Sequence, residues 1–222
     1  MPRVAVLIPA YNEADLVADT VTAALAMPDI GEVVVIDDGS DDETASVAAQ
    51  AGARVIVLAA NSGKGAALNA GIAEIEADIY LMIDADLGST ASETYRLLEP
   101  ILAGHADLAI AAMSAPKGHK GGFGFVMKFS RWAIRRLGGM VVTAPLSGQR
   151  AFRRELIESI GGFERGFGVE TAMTIDALRK GCKILEVPLP LAHRASGRNW
   201  AGFAHRGRQF VHIARAVWKR LG

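Results

Sequence analysis

Short apolar runs alternate with helix-like stretches throughout the first 113 residues of this 222-residue chain. The runs are Val4–Ile8, Val33–Ile36, Val55–Leu58, Ile79–Ile83 and Leu108–Met113. Between them lie Asp15–Ala26, Glu43–Ala51, Gly65–Glu76 and a segment that Ser92 caps and that runs to Ala103, all expected to be helical; Asp41 or Asp42 can cap the second. Brief, uninterrupted apolar strands separated by helices indicate a parallel sheet covered on both faces. Right-handed crossovers then bring every strand's C-terminal end to one edge, where ligands bind in such sheets.

The remaining residues are less regular. Lys117–Gly124 is a Gly/Lys-rich loop, and Phe125–Leu137 reads as an amphipathic helix with Lys128, Arg131, Arg135 and Arg136 interleaved. Leu146–Phe152 is an expected strand, Glu155–Ile160 a short helix and Gly161–Gly168 a Gly-rich turn. Glu170–Lys180 is an expected helix stopped by Gly181, Ile184–Val187 a strand and His205–Leu221 a final helix. Half of the residues are hydrophobic, which excludes wholesale disorder. The single cysteine, Cys182, excludes a disulfide framework and a Cys-based zinc site.

Net charge is zero but divided unevenly: residues 1–99 carry 4 Lys/Arg and 17 Asp/Glu, and residues 100–222 carry 20 and 7. An acidic half suits a metal site, and a basic half suits anionic ligands or a membrane surface. No apolar run approaches the roughly 20 residues that a spanning helix needs, and Met1-Pro2-Arg3 leads straight into a strand. The expected location is cytoplasmic, with contact at the inner membrane surface left open.

The strand ends carry the chemistry. Strand one runs into Pro9-Ala10-Tyr11-Asn12-Glu13, strand two into Asp37-Asp38-Gly39-Ser40, and strand four into Asp84-Ala85-Asp86, while the helix after strand three begins at Gly63-Lys64-Gly65. Two carboxylates on a hard divalent cation leave positions for two phosphate oxygens, so Asp84 and Asp86 suit a metal-held diphosphate, with Asp86 the better direct ligand. Lys64 at a helix start combines its own charge with exposed N–H groups and the helix dipole, all favouring phosphate. Asp37 or Asp38 can accept from a base N–H, Gly39 permits close backbone approach, and Pro9–Glu13 can bracket base and ribose. The P-loop pattern is absent, and so is a Gly-x-Gly-x-x-Gly turn after strand one, which argues against P-loop nucleotidases and dinucleotide oxidoreductases.

In chain order and spacing, Ile8–Glu13, Ile36–Ser40, Gly63–Gly65 and Asp84–Asp86 resemble the signature series of GT-A-fold glycosyltransferases, over roughly residues 3–115. The resemblance implies an α/β fold with a mostly parallel, Rossmann-like sheet and helices on both faces. It also implies a nucleotide-diphosphate sugar donor, most often UDP-linked, and Mg²⁺ or Mn²⁺ at the Asp84-Ala85-Asp86 motif. The donor site would comprise Pro9, Ala10, Tyr11, Asn12, Glu13, Asp37, Asp38, Gly39, Ser40, Lys64, Asp84, Ala85 and Asp86.

The second half resembles two subfamilies. Pro145–Gly148, Gly166-Phe167-Gly168-Val169-Glu170 and Ala192-His193-Arg194 are similar to glucosyl-3-phosphoglycerate synthases, although the Gly-Arg-Val-Thr acceptor loop of that family has no counterpart. That likeness implies that His193 joins Asp86 and Asp84 at the metal, and that Gly168 and Glu170 approach the sugar. Ser147–Arg153 and Glu186-Val187-Pro188 resemble segments of polyprenyl-phosphate glycosyltransferases of the dolichol-phosphate mannose or glucose synthase type. Acceptor contacts are expected at Gly148, Gln149, Arg150, Arg194 and Arg198, and Trp200 is expected on a loop that closes over the donor.

The resulting expectation is a single domain over 1–222, with a nucleotide-sugar half (1–115) and an acceptor half (116–222). Its function is metal-dependent hexosyl transfer to a phosphate-bearing small molecule or lipid phosphate, with Asp86, Lys64 and Glu170 as the catalytic residues. Nucleic acid is not expected as a partner, and oligomerisation is left open. The alternatives are a non-catalytic nucleotide-sugar-binding module and a sugar nucleotidyltransferase. The intact acidic pair argues against the first, and the missing Gly-rich Arg loop after strand one argues against the second.

Overall fold

A computed structural model describes residues 2–113, 124–191 and 210–221. Seven strands form one sheet: β1 (Val4–Ala10), β2 (Glu32–Asp37), β3 (Arg54–Val57), β4 (Ile79–Met82), β5 (Leu108–Met113), β6 (Arg150–Arg153) and β7 (Ile184–Leu189). Their order is β3-β2-β1-β4-β6-β5-β7. Every pairing is parallel except those of β6, which lies antiparallel between β4 and β5.

The helices are α1 (Val17–Leu25), α2 (Thr44–Gln50), α3 (Lys64–Glu74), α4 (Leu98–Leu102), α5 (Gly124–Gly138), α6 (Arg154–Ile160) and α7 (Val169–Arg179), with a further helix α8 over 210–218. Alternate residues of each central strand feed two cores. Val6, Ile8, Val33, Val35 and Leu81 pack with α1 and α4 on one face. Leu7, Val34, Ile36, Tyr80 and Met82 pack with α3, α6 and α7 on the other. This is why the strands are apolar at successive positions. A third cluster, including Val126, Ile134, Ile175, Ile213 and Val217, joins α5, α7 and α8.

Local chemistry shifts three boundaries. The expected Ser92–Ala103 helix is instead a 3₁₀ stretch, Gly88–Leu97, followed by α4. The hydroxyls of Thr90, Ser92 and Thr94 donate to carbonyls three residues back, at 2.7, 3.1 and 2.6 Å, so Ser92 is not a cap. Neither candidate cap of α2 takes the N-cap position, which is Glu43; Asp42, one residue earlier, accepts from the Thr44 N–H through Oδ1 at 3.0 Å. The expected strand Leu146–Phe152 pairs only from Arg150 onward. Residues 144–147 turn instead, with the Ser147 N–H on the Ala144 carbonyl. The buried Arg150 guanidinium donates to the Ser147 carbonyl at 2.9 Å and the Pro145 carbonyl at 3.4 Å, fixing that turn.

Candidate active site

Because β1, β2 and β4 are parallel neighbours, their C-terminal ends share one rim. The first two rim loops are stitched together. The Asp38 N–H donates to the Ala10 carbonyl at 2.8 Å and the Asn12 N–H to Ser40 Oγ at 2.9 Å. The Asp41 N–H donates to Asn12 Oδ1 at 2.9 Å and the Glu13 N–H to Thr44 Oγ1 at 2.8 Å. Asn12 takes a left-handed conformation (φ 56°), which a short amide side chain tolerates. Tyr11 stays exposed, and Pro9 and Ala10 form the end of β1.

Asp37 and Asp38 are both buried. Asp37 Oδ1 accepts from the Ser40 N–H at 3.1 Å and from the Ser40 hydroxyl. Asp38 uses one oxygen for the Ser62 N–H (2.8 Å) and the other for the Gly63 N–H (2.7 Å), so it anchors the lead-in to α3. Gly39 has φ 71°, and a Cβ there would lie 2.7 Å from the Ala60 carbonyl carbon. Gly39 thus permits close approach of the neighbouring loop.

Lys64 opens α3, and its position follows from the glycines beside it. Gly63 has φ 88°, and a Cβ on Gly65 would overlap the Glu164 carbonyl. The start of α3 thus lies against the turn that precedes α7 and carries Glu170 in its first helical turn. Lys64 Nζ sits 2.6 Å from Asp84 Oδ1 and 2.9 Å from Glu170 Oε1. Burial acts to lower the Lys64 pKa, but the two carboxylates outweigh it and hold the ammonium above its ordinary value. Three residues proposed for separate roles, from distant parts of the chain, form one ion cluster.

The Asp84-Ala85-Asp86 bend is pinned from below. Thr20 of α1 donates to the Ala85 carbonyl at 2.8 Å and accepts from the Gly88 N–H at 2.9 Å. Asp84 Oδ2 accepts from Gln149 Nε2 at 2.6 Å, and the Gln149 Oε1 accepts from the Ser147 hydroxyl at 3.2 Å. Gly148 lies so close that a Cβ would come within 2.7 Å of the Asp84 carboxyl carbon. Thr20 escapes sequence reasoning because nothing in α1 marks one buried threonine as serving a bend 65 residues away. Asp86, two residues beyond Asp84, is partly exposed.

Gln149 and Arg150 are two of the expected acceptor contacts. Both are fully buried. Arg150 donates to the Ser147 and Pro145 carbonyls and, at 2.9 Å, to Thr174 Oγ1. Burial pulls its pKa down to about 10 against the carboxylates of Glu170, Glu186 and Asp84, so it is still a cation at neutral pH beneath the cluster. Gly168 is also explained by packing: a Cβ there would meet Ala216 Cβ of α8 at 2.8 Å. His193, Arg194, Arg198 and Trp200 lie outside the described residues. Among the described residues, no group of three His, Cys, Asp or Glu side chains is gathered to hold a metal. The oxygens of Asp84 and Glu170 nevertheless converge on a single positive group, Lys64 Nζ, and Asp86 follows on the same bend. Such hard oxygen donors fit Mg²⁺ or Mn²⁺.

Comparison with known proteins agrees with this geometry. Residues 5–161 match the model of glycosyl transferase family 2. Glycosyltransferase AglJ of Haloferax volcanii is 32% identical over 203 residues, covering 87% of this chain and 64% of its own length. The chain thus spans a little under two thirds of that relative. Undecaprenyl-phosphate mannosyltransferase of Micrococcus luteus is 28% identical, covering 99% of this chain and 97% of its own. The crystal structure of glucosyl-3-phosphoglycerate synthase from Mycobacterium tuberculosis with Mn²⁺, UDP-glucose and phosphoglyceric acid superposes with a TM-score of 0.82 at 27% identity, over 99% of this chain and 79% of that one. A mostly parallel sheet with one antiparallel insertion, an acidic bend at its rim and the family match over residues 5–161 lead to one assignment: the chain is a GT-A-fold protein of glycosyl transferase family 2, a family of glycosyltransferases.

Proposed function

We propose that this protein, as a single catalytic domain over residues 1–222, moves a hexose from a UDP-linked sugar to a phosphate-bearing acceptor with Mg²⁺ or Mn²⁺ as cofactor. The observation that carries the reading is the cluster of Lys64, Asp84 and Glu170 at the sheet's C-terminal rim. The named relatives act on undecaprenyl phosphate or hold UDP-glucose and phosphoglyceric acid.

In this reading Asp86 and Asp84, with His193, hold the metal, which supplies positive charge to the leaving diphosphate. Lys64 stabilises the same charge from the other side, where electrostatic demand on the site is greatest. Tyr11, Asn12 and Glu13, on the stitched loop, face the base and ribose with Asp37. Glu170, next to Lys64, orients the sugar; a phosphate acceptor is already ionised and needs no general base. Gln149 and Gly148 serve by holding Asp84, and Arg194 and Arg198 meet the acceptor.

Polyprenyl phosphate is the favoured acceptor because α5 presents exposed Phe125 and Trp132 among Lys128, Arg131, Arg135 and Arg136, and α8 adds an exposed Trp218. Aromatic rings with basic neighbours suit an anionic membrane surface. Among the described residues no helix is long and apolar enough to cross a membrane. The structural likeness to the synthase bound to phosphoglyceric acid favours 3-phosphoglycerate as the second reading.

The test is UDP release from UDP-glucose with Mn²⁺, in the presence of a short polyprenyl phosphate, of 3-phosphoglycerate, or of neither. Release stimulated by the lipid phosphate supports the first reading, and release stimulated only by phosphoglycerate supports the second. UDP-sugar binding without turnover under every condition rejects transfer in favour of a binding module.

A further inference from the structure

The rim cluster holds a positive charge of its own. Lys64 Nζ reaches both Asp84 and Glu170, and its side chain is 21% exposed, so solvent competes only weakly for the ammonium. Asp84 cannot follow Lys64 if the lysine leaves. Gln149 grips its second oxygen at 2.6 Å, and the Gly148 backbone packs so close that a Cβ there would overlap the carboxylate. Thr20 fixes the backbone of the same bend through the Ala85 carbonyl. Among the described residues the Lys64 ammonium pairs with Asp84 and Glu170, and the rotatable bonds of its unbranched four-carbon stem let Nζ change partner without moving the helix. The mobile partner of this pair is therefore the cation.

Resting on the nucleotide-sugar reading above, we infer that Lys64 is a resident cation which competes with the divalent metal for Asp84, and that an incoming diphosphate draws it away. A metal ion approaching Asp84 alone meets an ammonium already seated on the same carboxylate, and the two positive charges repel. A diphosphate offers the ammonium a new anionic partner and returns Asp84 to the metal. Metal and nucleotide then bind with positive coupling that passes through Lys64. By linkage, each improves the other's affinity by the same factor. Without nucleotide, the lysine offsets part of the rim's negative charge and the metal is weakly held.

The test titrates the full chain with Mn²⁺ alone, UDP alone, and each in the presence of the other, by calorimetry and by the paramagnetic signal of free Mn²⁺. Lys64→Met keeps chain length and removes the charge. Lys64→Gln, which retains a donor for the two carboxylates, is the second variant should the first fold poorly. In a soluble variant, Mn²⁺ alone binds at least about tenfold more tightly than in the wild type, within the usual range of such couplings, while UDP alone binds more weakly. The factor by which UDP improves Mn²⁺ binding shrinks correspondingly. A lysine that serves only as a phosphate contact weakens UDP without strengthening Mn²⁺. Mn²⁺ affinity that is unchanged or reduced in the variant overturns the inference. Failure of the wild type to bind UDP with Mn²⁺ at all overturns the nucleotide-sugar reading, and this inference with it.

Discussion

Gln149→Met separates a supporting role from an acceptor contact. The Gln149 side chain is fully buried, and its amide gives Asp84 Oδ2 a hydrogen bond of 2.6 Å. Methionine preserves length and volume while removing the donor. A hydrogen bond to a charged group contributes about 1.5–3 kcal/mol. The Asp84 side chain is 28% exposed, and water replaces part of that bond, so the lower end of the range applies. For a domain of this size, about 1.5 kcal/mol lowers Tm by roughly 3–6 °C. The loss falls on the carboxylate that seats Lys64, so the same energy lost from the transition state slows transfer about tenfold. Differential scanning fluorimetry reads the first quantity and UDP release reads the second. A variant matching the wild type in both Tm and rate refutes the assignment of Gln149 as the holder of Asp84. A slower variant with unaltered Tm and donor affinity, but a raised KM for acceptor, restores the acceptor-contact reading.

Gly65→Ala drives a methyl group into the Glu164 carbonyl, and backbone cannot step aside as a side chain can. The expected destabilisation is about 2 kcal/mol or more, read by urea unfolding, and an unchanged midpoint sinks the packing account of this glycine. Asp86→Ala abolishes transfer and removes the metal dependence of UDP binding; retained turnover removes Asp86 from the site. Glu164 carries a pH prediction. Burial alone would raise its pKa, but Lys219 at 2.7 Å and Arg220 at 2.9 Å outweigh burial and hold it below the ordinary glutamate value. The stability it contributes is therefore complete above that ordinary value and fades as the pH falls through the lower folded value. Glu164→Gln flattens this acid limb of the Tm-against-pH curve, and an identical acid limb in the variant refutes the linkage.

Chain order alone made the rim legible, because parallel strands joined by helices have one geometric outcome: their C-terminal ends share an edge. Periodicity placed most elements, and the acidic bend at Asp84–Asp86 stood out because three other unusual strand-end segments converge with it on one expected edge. Where local hydrogen bonding competed with periodicity the sequence misled, as in the hydroxyl-rich stretch before α4, where Thr90, Ser92 and Thr94 bond back to their own backbone. The surroundings of Arg150 needed the tertiary structure. An arginine beside Ser147-Gly148 reads as an anion contact, and only the insertion of β6 between β4 and β5 reveals that it is fully buried under the site.

By itself, then, the sequence determined the layered α/β architecture, the rim and the residue types gathered there, because hydrophobic period and strand-end chemistry are local properties. Tertiary structure alone decided who pairs with whom: Lys64 with Asp84 and Glu170, Gln149 with Asp84, Thr20 with the bend. Those partners lie 20 to more than 100 residues apart, and their meeting depends on close backbone approaches at Gly65 and Gly148. Such approaches leave no periodic trace in the chain, since a glycine chosen for room looks in sequence like a glycine chosen for a turn.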